Sequence, residues 1–489
     1  MRELLTPLLF FQRFFIPTML ILLVWAAWRT VFKKDFAVGM ALYVTLLIVV
    51  DGFYNTGLFL PGLEKGSIRY SEICALFLLF SRPPAQARPA LSNTVLALAG
   101  VYFFLMAVAA LRADPPLAGL FEFRRIVFPQ MLAFTLAMRG FGTPDDYRRF
   151  LLALVVLVLI VALFCFWDVF FDRWILHSDL LAKPEYWVNR RQGRFGSIFL
   201  NPNFLGAFVV LLFPPLFMLL LSETNKAARL YLGIALLALL FSLIQTQSRG
   251  PLLAFAASLL FLVFGPAGKI SRRRRFGALV VALLALTIFM PGFIQRATDR
   301  FDSIERETTT EHVSRASIWR YTRQIVADHP LLGIGFGEHQ FLLAIAETDF
   351  ERRYGRTLDN PHNSYLQAAV YAGVPALAAF AIANLLLLMR ATRRFLRSSG
   401  SGTDAGALFG LTVGLGGFLI AIYPDMHLFT PNVGPLYWLF FGLLFASASR
   451  AASRAEAPAA RVLRPRPYGV PPRYGAPRSP SGKALGGSH

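Results

Sequence analysis

The residues able to do chemistry in this chain sit in a few short polar stretches. In "LDNPHNSYLQAAV", residues 358–370, His362 follows a proline at the entrance to an apolar run. In "QTQSRGPLLAF", Arg249 stands between two apolar runs, with Ser248 before it and Gly250 and Pro251 after. "HVSRASIWRYTRQ" presents Arg315, and "NRRQGRFGSIFLNPNFLG" presents Arg190, Arg191 and Arg194. "FEFRRIVF" sets Arg124 and Arg125 inside an otherwise apolar segment. An arginine within a membrane span costs roughly 2.5–3.5 kcal/mol on insertion scales, which a chain tolerates when the guanidinium meets a counter-ion or lines a wet cavity. Singly, each arginine can be an interfacial anchor or a structural ion-pair partner. Several on one side of a membrane point to an anionic ligand, and the planar guanidinium fork fits phosphate oxygens two at a time. For His362 the bland alternative is a helix cap or a lipid-headgroup contact. Asn363, next to it, can cap or orient it.

These residues have to be positioned by a chain that is 56% hydrophobic over 489 residues. Apolar stretches run at 16–31, 37–56, 70–81, 93–111, 118–138, 150–171, 203–221, 229–246, 251–266, 277–292, 364–389, 406–424 and 432–448. Their lengths approach what a helix needs to cross the hydrocarbon, so the expected fold is an all-α polytopic membrane protein. Arg13 interrupts "LLFFQRFFIP", and an early segment lying in the interface leaves about twelve spans with a cytoplasmic tail. The first stretch has no small-residue cleavage site after it and is expected to remain as an anchor. Basic clusters at Arg82 and Arg88, at Arg139, Arg148 and Arg149, at Lys226 and Arg229, at Lys269 with Arg272–Arg275, and at Arg390–Arg397 mark the cytoplasmic side. The net charge of +21 thus belongs largely to short loops and the tail, and no nucleic-acid partner is expected. Cys74 and Cys165 fall inside apolar runs, which suits packing rather than redox chemistry.

The expected organisation is transmembrane helices over 1–292 with an outer loop at 172–202, and an outer helical loop at 293–363. Transmembrane helices return over 364–448, and a basic, disordered cytoplasmic tail rich in Pro, Arg, Gly and Ser covers 449–489. Six of the seven histidines, among them His177, His312, His329, His339 and His427, fall outside on this topology. In the long loop Arg315, Trp319, Thr322 and Val326 recur at helical steps, and Pro330 ends that helix. The glycine-rich "LLGIGFGEHQF" is not a GxGxxG cradle, and a packed turn is the expectation. Acids such as Asp299, Asp302, Glu305, Glu307 and Glu311 bring the loop near neutrality, so individual arginines must carry any anion binding. Asp145 and Asp146 lie in a cytoplasmic loop, no outward pair of acids offers a metal site, and no cofactor is expected.

"RFGSIFLNPNFLG", "QSRGPLLAF", "SRASIWRY" with "HPLLGIGFG", and "NPHNSYLQ" follow one another in this order and spacing over about residues 190–370. That ordered set resembles the O-antigen ligase and polymerase superfamily of bacterial inner membranes. The resemblance implies a GT-C-like glycosyltransferase with a long helical periplasmic loop and its active site facing the periplasm. It implies a lipid-linked donor, a glycan on undecaprenyl pyrophosphate, and in the ligase branch the lipid A core of lipopolysaccharide as acceptor. Alternatives are an O-antigen polymerase or an O-linked protein oligosaccharyltransferase, and more remotely a lipid-linked glycan flippase. The family's basic pair matches Arg249 and Arg315, and its histidine matches His362. The donor already carries a good leaving group, so fixed arginines would stabilise the departing pyrophosphate. His362 would act as general base in a metal-independent, inverting transfer. Arg191, Arg194, Arg124, Arg125 and Asn363 are the further substrate-binding candidates.

Overall fold

Each of the twelve apolar stretches from residue 37 onward contains a helix among the described residues. The computed structural model describes Trp25 and residues 35–51, 59–60, 63–81, 94–141, 143–171, 184–265, 270–289, 314–397 and 403–456. The stretch 16–31 with Arg13 nearby, Arg82, Arg88, His177, Lys269, His312, the loop acids from Asp299 to Glu311 and the tail beyond 456 lie outside the described residues, Trp25 excepted. In chain order the helices are α1 (Phe36–Thr45, running on through a π turn to Val50), α2 (Tyr70–Phe80), α3 (Thr94–Leu111), α4 (Pro116–Gly140) and α5 (Pro144–Phe170). Then come α6 (Pro184–Arg191), α7 (Pro202–Ser222), α8 (Lys226–Thr246), α9 (Arg249–Phe264) and α10 (Arg272–Phe289). The outer segment supplies α11 (Arg315–Asp328), α12 (Glu338–Ala346) and α13 (Phe350–Tyr354), and the chain closes with α14 (Ser364–Arg397), α15 (Thr403–Ala421) and α16 (Val433–Glu456). The one departure from helix among the described elements is a short antiparallel hairpin, Phe59–Leu60 with Leu63–Ser67.

Hydropathy makes these segments helical, and local caps set where they start. Thr143 and Asp146 bond each other's backbone at the start of α5, Asn201 caps α7, Asn225 caps α8 and Ser314 caps α11. Prolines at the first helical position of α5 and α7 forfeit only an N–H that has no partner in the helix. Among the described residues five helices are long and apolar enough to cross a membrane: α3, α5, α7, α8 and the Ser364–Leu396 part of α14. The chain is thus a helical, polytopic membrane protein. α7 is buried along most of its length, with Gly410 and Gly414 of α15 lying directly on Pro214, Pro215 and Leu211. α16 packs on α4, where Gly442 meets Ala137 and Phe134, and Trp438 sits among Tyr102, Phe103 and Phe134. α16 continues as helix to Glu456, past residue 449 where the tail was expected to begin.

The helix ends sort into two sets. At one end Arg148 meets Glu223 at 2.7 Å, Arg149 meets Asp146 at 2.7 Å, and Arg275 donates to the Gly265 carbonyl. The other end carries the starts of α7, α9 and α14 and the turn after α15. Here the glycine-rich segment 330–337 docks backbone to backbone on α14. Ile334 N–H donates to Val370 O (2.8 Å) and Val374 N–H to Pro330 O (2.8 Å), across a break in α14 at Gly373. Gly373 has φ +83 and Gly333 has φ +62, and a β-carbon on either would strike the opposite backbone at 2.2–2.3 Å. Phe336 N–H donates to Ala109 O, and Arg112 donates to Leu332 O (2.8 Å), so the same segment is tied to the end of α3. The expected packed turn is therefore the clamp that holds the outer helices on the bundle.

Candidate functional site

Asp425 lies at the centre of the clamped end, in the turn between α15 and α16. Its side chain is buried, and its Oδ2 accepts from Asn203 Nδ2 at 2.5 Å. Arg315 Nη2 stands 3.6 Å from Oδ2, and His362 Nδ1 stands 3.8 Å from Oδ1. Both are ion-pair distances rather than hydrogen bonds. Asn203 Oδ1 accepts from Arg194 Nη2 (2.9 Å) and from Ser248 Oγ (2.5 Å). Arg249 follows Ser248 as the first residue of α9, and Gly250 abuts the Pro424 ring just before Asp425. Elements far apart in sequence thus bring Arg315 and His362 to one carboxylate, with Asn203 linking Arg194 to it and Arg249 starting the adjoining helix.

Each side chain is aimed by its local backbone. Asn363 caps α14, its Oδ1 accepting from Tyr365 N–H and Leu366 N–H at 3.0 Å each, and it is buried in that role. Ser364 N–H and Oγ both donate to the Asp425 carbonyl, which locks the start of α14 against the turn. Ahead of it Asn360 Oδ1 accepts from His362 N–H (2.9 Å), and His362 has φ +47. A non-glycine residue in that left-handed region stores strain, and such residues concentrate where function requires an odd direction. The histidine side chain remains 38% exposed and that of Arg315 46%, so both reach solvent while Asp425, at 5%, does not. On α11 the buried face is Ile318, Tyr321, Thr322 and Ile325, one step round from the expected stripe, with Trp319 against Tyr423 at 5.1 Å. That rotation leaves Arg315 free of the packed face and turned to Asp425.

The electrostatics follow from burial against charge. Burial alone would raise the Asp425 carboxyl, but His427, His362 and Arg315 outweigh it and hold the group below the usual carboxylate range. His427, two residues on, is fully buried beside Phe204 and Phe418, and burial pushes it down to about 4. At neutral pH His427 is therefore uncharged, and Arg315 is the fixed cation facing Asp425. Neither His427 nitrogen has a hydrogen-bond partner.

The remaining candidates lie elsewhere. Arg191 is exposed at the end of α6, and its neighbour Arg190 is held by Asp168 and the Phe171 carbonyl. Arg124 pairs with Glu72 at 2.8 Å, and Arg125 pairs with Glu122 at 2.8 Å and Glu338 at 3.5 Å. These two arginines line a separate cavity with Arg69 and His339. Among the described residues no group of His, Cys, Asp and Glu is arranged to hold a metal ion. Sequence reasoning did not single out Asp425 or Asn203. The signal for Asp425 was an acid in the short outward turn "YPDMHLF" beside His427; Asn203 carries no such mark, since asparagine at a helix start reads as a cap.

Such a site can grip an anion between arginines and offer an imidazole beside it. Residues 234–381 match the sequence family described as O-antigen ligase. The matched stretch contains Arg249, Arg315 and His362 and ends before Asp425. No curated protein matches the sequence.

Proposed function

We propose, on the match of residues 234–381 to the family described as O-antigen ligase, that this chain is such an enzyme and transfers a glycan from undecaprenyl pyrophosphate to a hydroxyl of the lipid A core. The reading includes about twelve membrane spans in a GT-C-like arrangement, with the clamped end facing the periplasm of a bacterial inner membrane. The observation that carries it is the meeting of Arg315 and His362 at Asp425, with Arg194 joined to the same carboxylate through Asn203 and Arg249 at the start of the adjoining helix.

In this reaction Arg249 and Arg315 hold the pyrophosphate, with Arg194 behind them. His362 sets Nδ1 3.8 Å from Asp425 Oδ1 on a side chain that is still 38% exposed, and Nε2 is the nitrogen assigned to the acceptor. Nε2 takes the proton of the acceptor hydroxyl as its oxygen attacks the anomeric carbon. The carbon–oxygen bond to the pyrophosphate breaks on the opposite face, its electron pair leaves with the phosphate oxygen, and the anomeric centre inverts. Arginines fixed before the reaction stabilise that charge without reorganising, the role a divalent ion plays in many transferases. Transfer should accordingly survive EDTA.

The test is His362→Ala in purified, inserted protein. Transfer should fall at least about a hundredfold, the lower range for general-base catalysis, while donor binding is kept. Wild-type transfer by that variant would make the histidine structural only. In cells, loss of the gene should remove long-chain lipopolysaccharide while polymerised glycan accumulates on the carrier lipid. Single-unit chains instead would assign the chain to polymerisation.

A further inference from the structure

Arg124 and Arg125 open a second question, because their surroundings differ in kind from those of Arg249 and Arg315. They line a cavity of about 730 Å³ together with Arg69, Glu122, Glu338 and Phe121. That volume falls within the range for small-ligand pockets, on the order of 300–1,000 Å³. Every arginine here is matched. Arg124 meets Glu72, Arg125 meets Glu122 and Glu338, and Arg69 donates to the Arg125 carbonyl at 3.1 Å. Two carboxylates, Glu122 and Glu338, thus stand in the lining, and a third, Glu72, holds Arg124. At Asp425, by contrast, one buried acid faces both Arg315 and His362.

A phosphate entering this cavity would have to compete with Glu72, Glu122 and Glu338 for guanidinium groups already paired to them, which weakens its attraction. An uncharged sugar has what the lining complements. Its hydroxyls donate to carboxylate oxygens and accept from guanidinium forks, and its C–H face lies on apolar surface such as Phe121 and Leu342. The pairs are not sealed away. Side chains of Arg125 and Glu338 are each 44% exposed and that of Glu122 is 27% exposed, so their free edges remain available. The cavity and the transfer site are joined through one stretch of chain. Glu338 and His339 of the lining open α12, and residues 338–362 run from there to His362. Asp359 is three residues from His362 and accepts from Asn360, the residue that holds the His362 backbone.

We propose that this cavity is a sugar-binding subsite, in which paired arginines and glutamates read the hydroxyls of an uncharged glycan residue next to the reacting bond. The inference rests on the transfer reading above and narrows the role of Arg124 and Arg125 from phosphate to sugar. The glycan can belong to the donor or to the acceptor; the recognition chemistry is the same.

The experiment uses the full chain in lipid nanodiscs and three soluble probes: core oligosaccharide freed of lipid A, O-antigen glycan freed of its carrier, and inorganic pyrophosphate. The Glu122→Gln, Glu338→Gln double variant keeps side-chain size while removing the charged acceptors. One of the two glycans should bind about tenfold more weakly to it, as expected for lost charge-assisted hydrogen bonds, with its KM in transfer raised and kcat little changed. Loss confined to core oligosaccharide assigns the cavity to the acceptor, and loss confined to O-antigen glycan assigns it to the donor. Pyrophosphate binding should be unchanged or stronger, which also reports that the protein is folded. If the double variant does not insert, Leu342→Trp fills the cavity from its apolar side and should weaken the same glycan. Pyrophosphate binding that falls while both glycans bind as before overturns the proposal, as does wild-type protein that binds neither glycan. Wild-type transfer with unchanged glycan KM in the double variant removes the subsite and leaves the reaction. Glutamate-dependent glycan binding without any transfer removes the reaction and leaves the subsite.

Discussion

A buried carboxylate facing a guanidinium and an imidazole is held ionised by its neighbours, and Asp425 is placed that way against Arg315 and His362. Asp425→Asn keeps the shape and the neighbour Asn203 while removing the charge that orients His362. Transfer should drop about tenfold, because the charge facing both His362 and Arg315 is lost, with donor affinity kept or improved. Arg249→Ala and Arg315→Ala should show the reverse split, weaker donor binding first, and Lys at either position should rescue only in part because an ammonium lacks the bidentate fork. A variant of Asp425 with wild-type kcat would leave that carboxylate a purely structural part. His427 makes a prediction about pH. Its folded value of about 4 lies below the ordinary 6.5, so the unfolded chain binds the proton more readily. Its stabilising effect is whole above 6.5, declines as pH falls toward 4, and is lost below. The slope is about 1.4 kcal/mol per pH unit in that window. His427→Phe, which suits the ring contacts with Phe204 and Phe418, should flatten the melting temperature between pH 4 and 6.5; an unchanged slope would assign the acid sensitivity elsewhere.

At the scale of elements the site depends on a clamp. α11 carries Arg315 to Asp425 through its own packing on α14 and Tyr423, and the segment behind it docks into the break of α14. Gly373 permits that docking through both its positive φ and its missing side chain. Gly373→Ala sets a β-carbon 2.2 Å from the Leu331 carbonyl oxygen in a backbone conformation that alanine resists. The expected cost is at least about 1 kcal/mol locally. Protease cleavage within 315–337 should speed up, and the KM for the lipid-linked donor should rise more than kcat falls. Unaltered cleavage would mean that the contacts to α3 hold the outer helices alone. A helix start is equally exacting: Asn363 and Ser364 fix α14 to the Asp425 turn, which is why a polar pair stands buried at the lip of an apolar helix.

Over the whole molecule the polar groups separate to the two ends of an apolar bundle, as hydrocarbon around its middle requires. Arg148, Arg149, Glu223 and Arg275 bond at one end, while His362, Asp425, Arg249 and Arg315 meet at the other. With the basic end cytoplasmic, reporter fusions at residues 230 and 310 should land in opposite compartments, the second in the periplasm. The same compartment for both would remove the proposed orientation and with it the periplasmic donor.

What the sequence determined by itself is what depends on neighbours along the chain. Apolar runs have to become helices in hydrocarbon because each backbone N–H and C=O needs a partner within the segment. Threonine, asparagine, serine and proline at the lips of those runs set where helices begin, so α5, α7, α8 and α11 start close to where the pattern places them. The residue types also showed which side chains could grip phosphate or move a proton. Tertiary structure alone decided which of them meet. Arg112 reaches Leu332 across 220 residues, and Asn203 reaches Asp425 across 222. No local periodicity encodes contacts at that range. The same distances separate two sets of arginines that look alike on paper. Arg124 and Arg125 are matched by Glu72, Glu122 and Glu338, whereas Arg315 shares Asp425 with His362. A guanidinium's chemistry is set by the acids packed around it, and packing brings those acids from elsewhere in the chain.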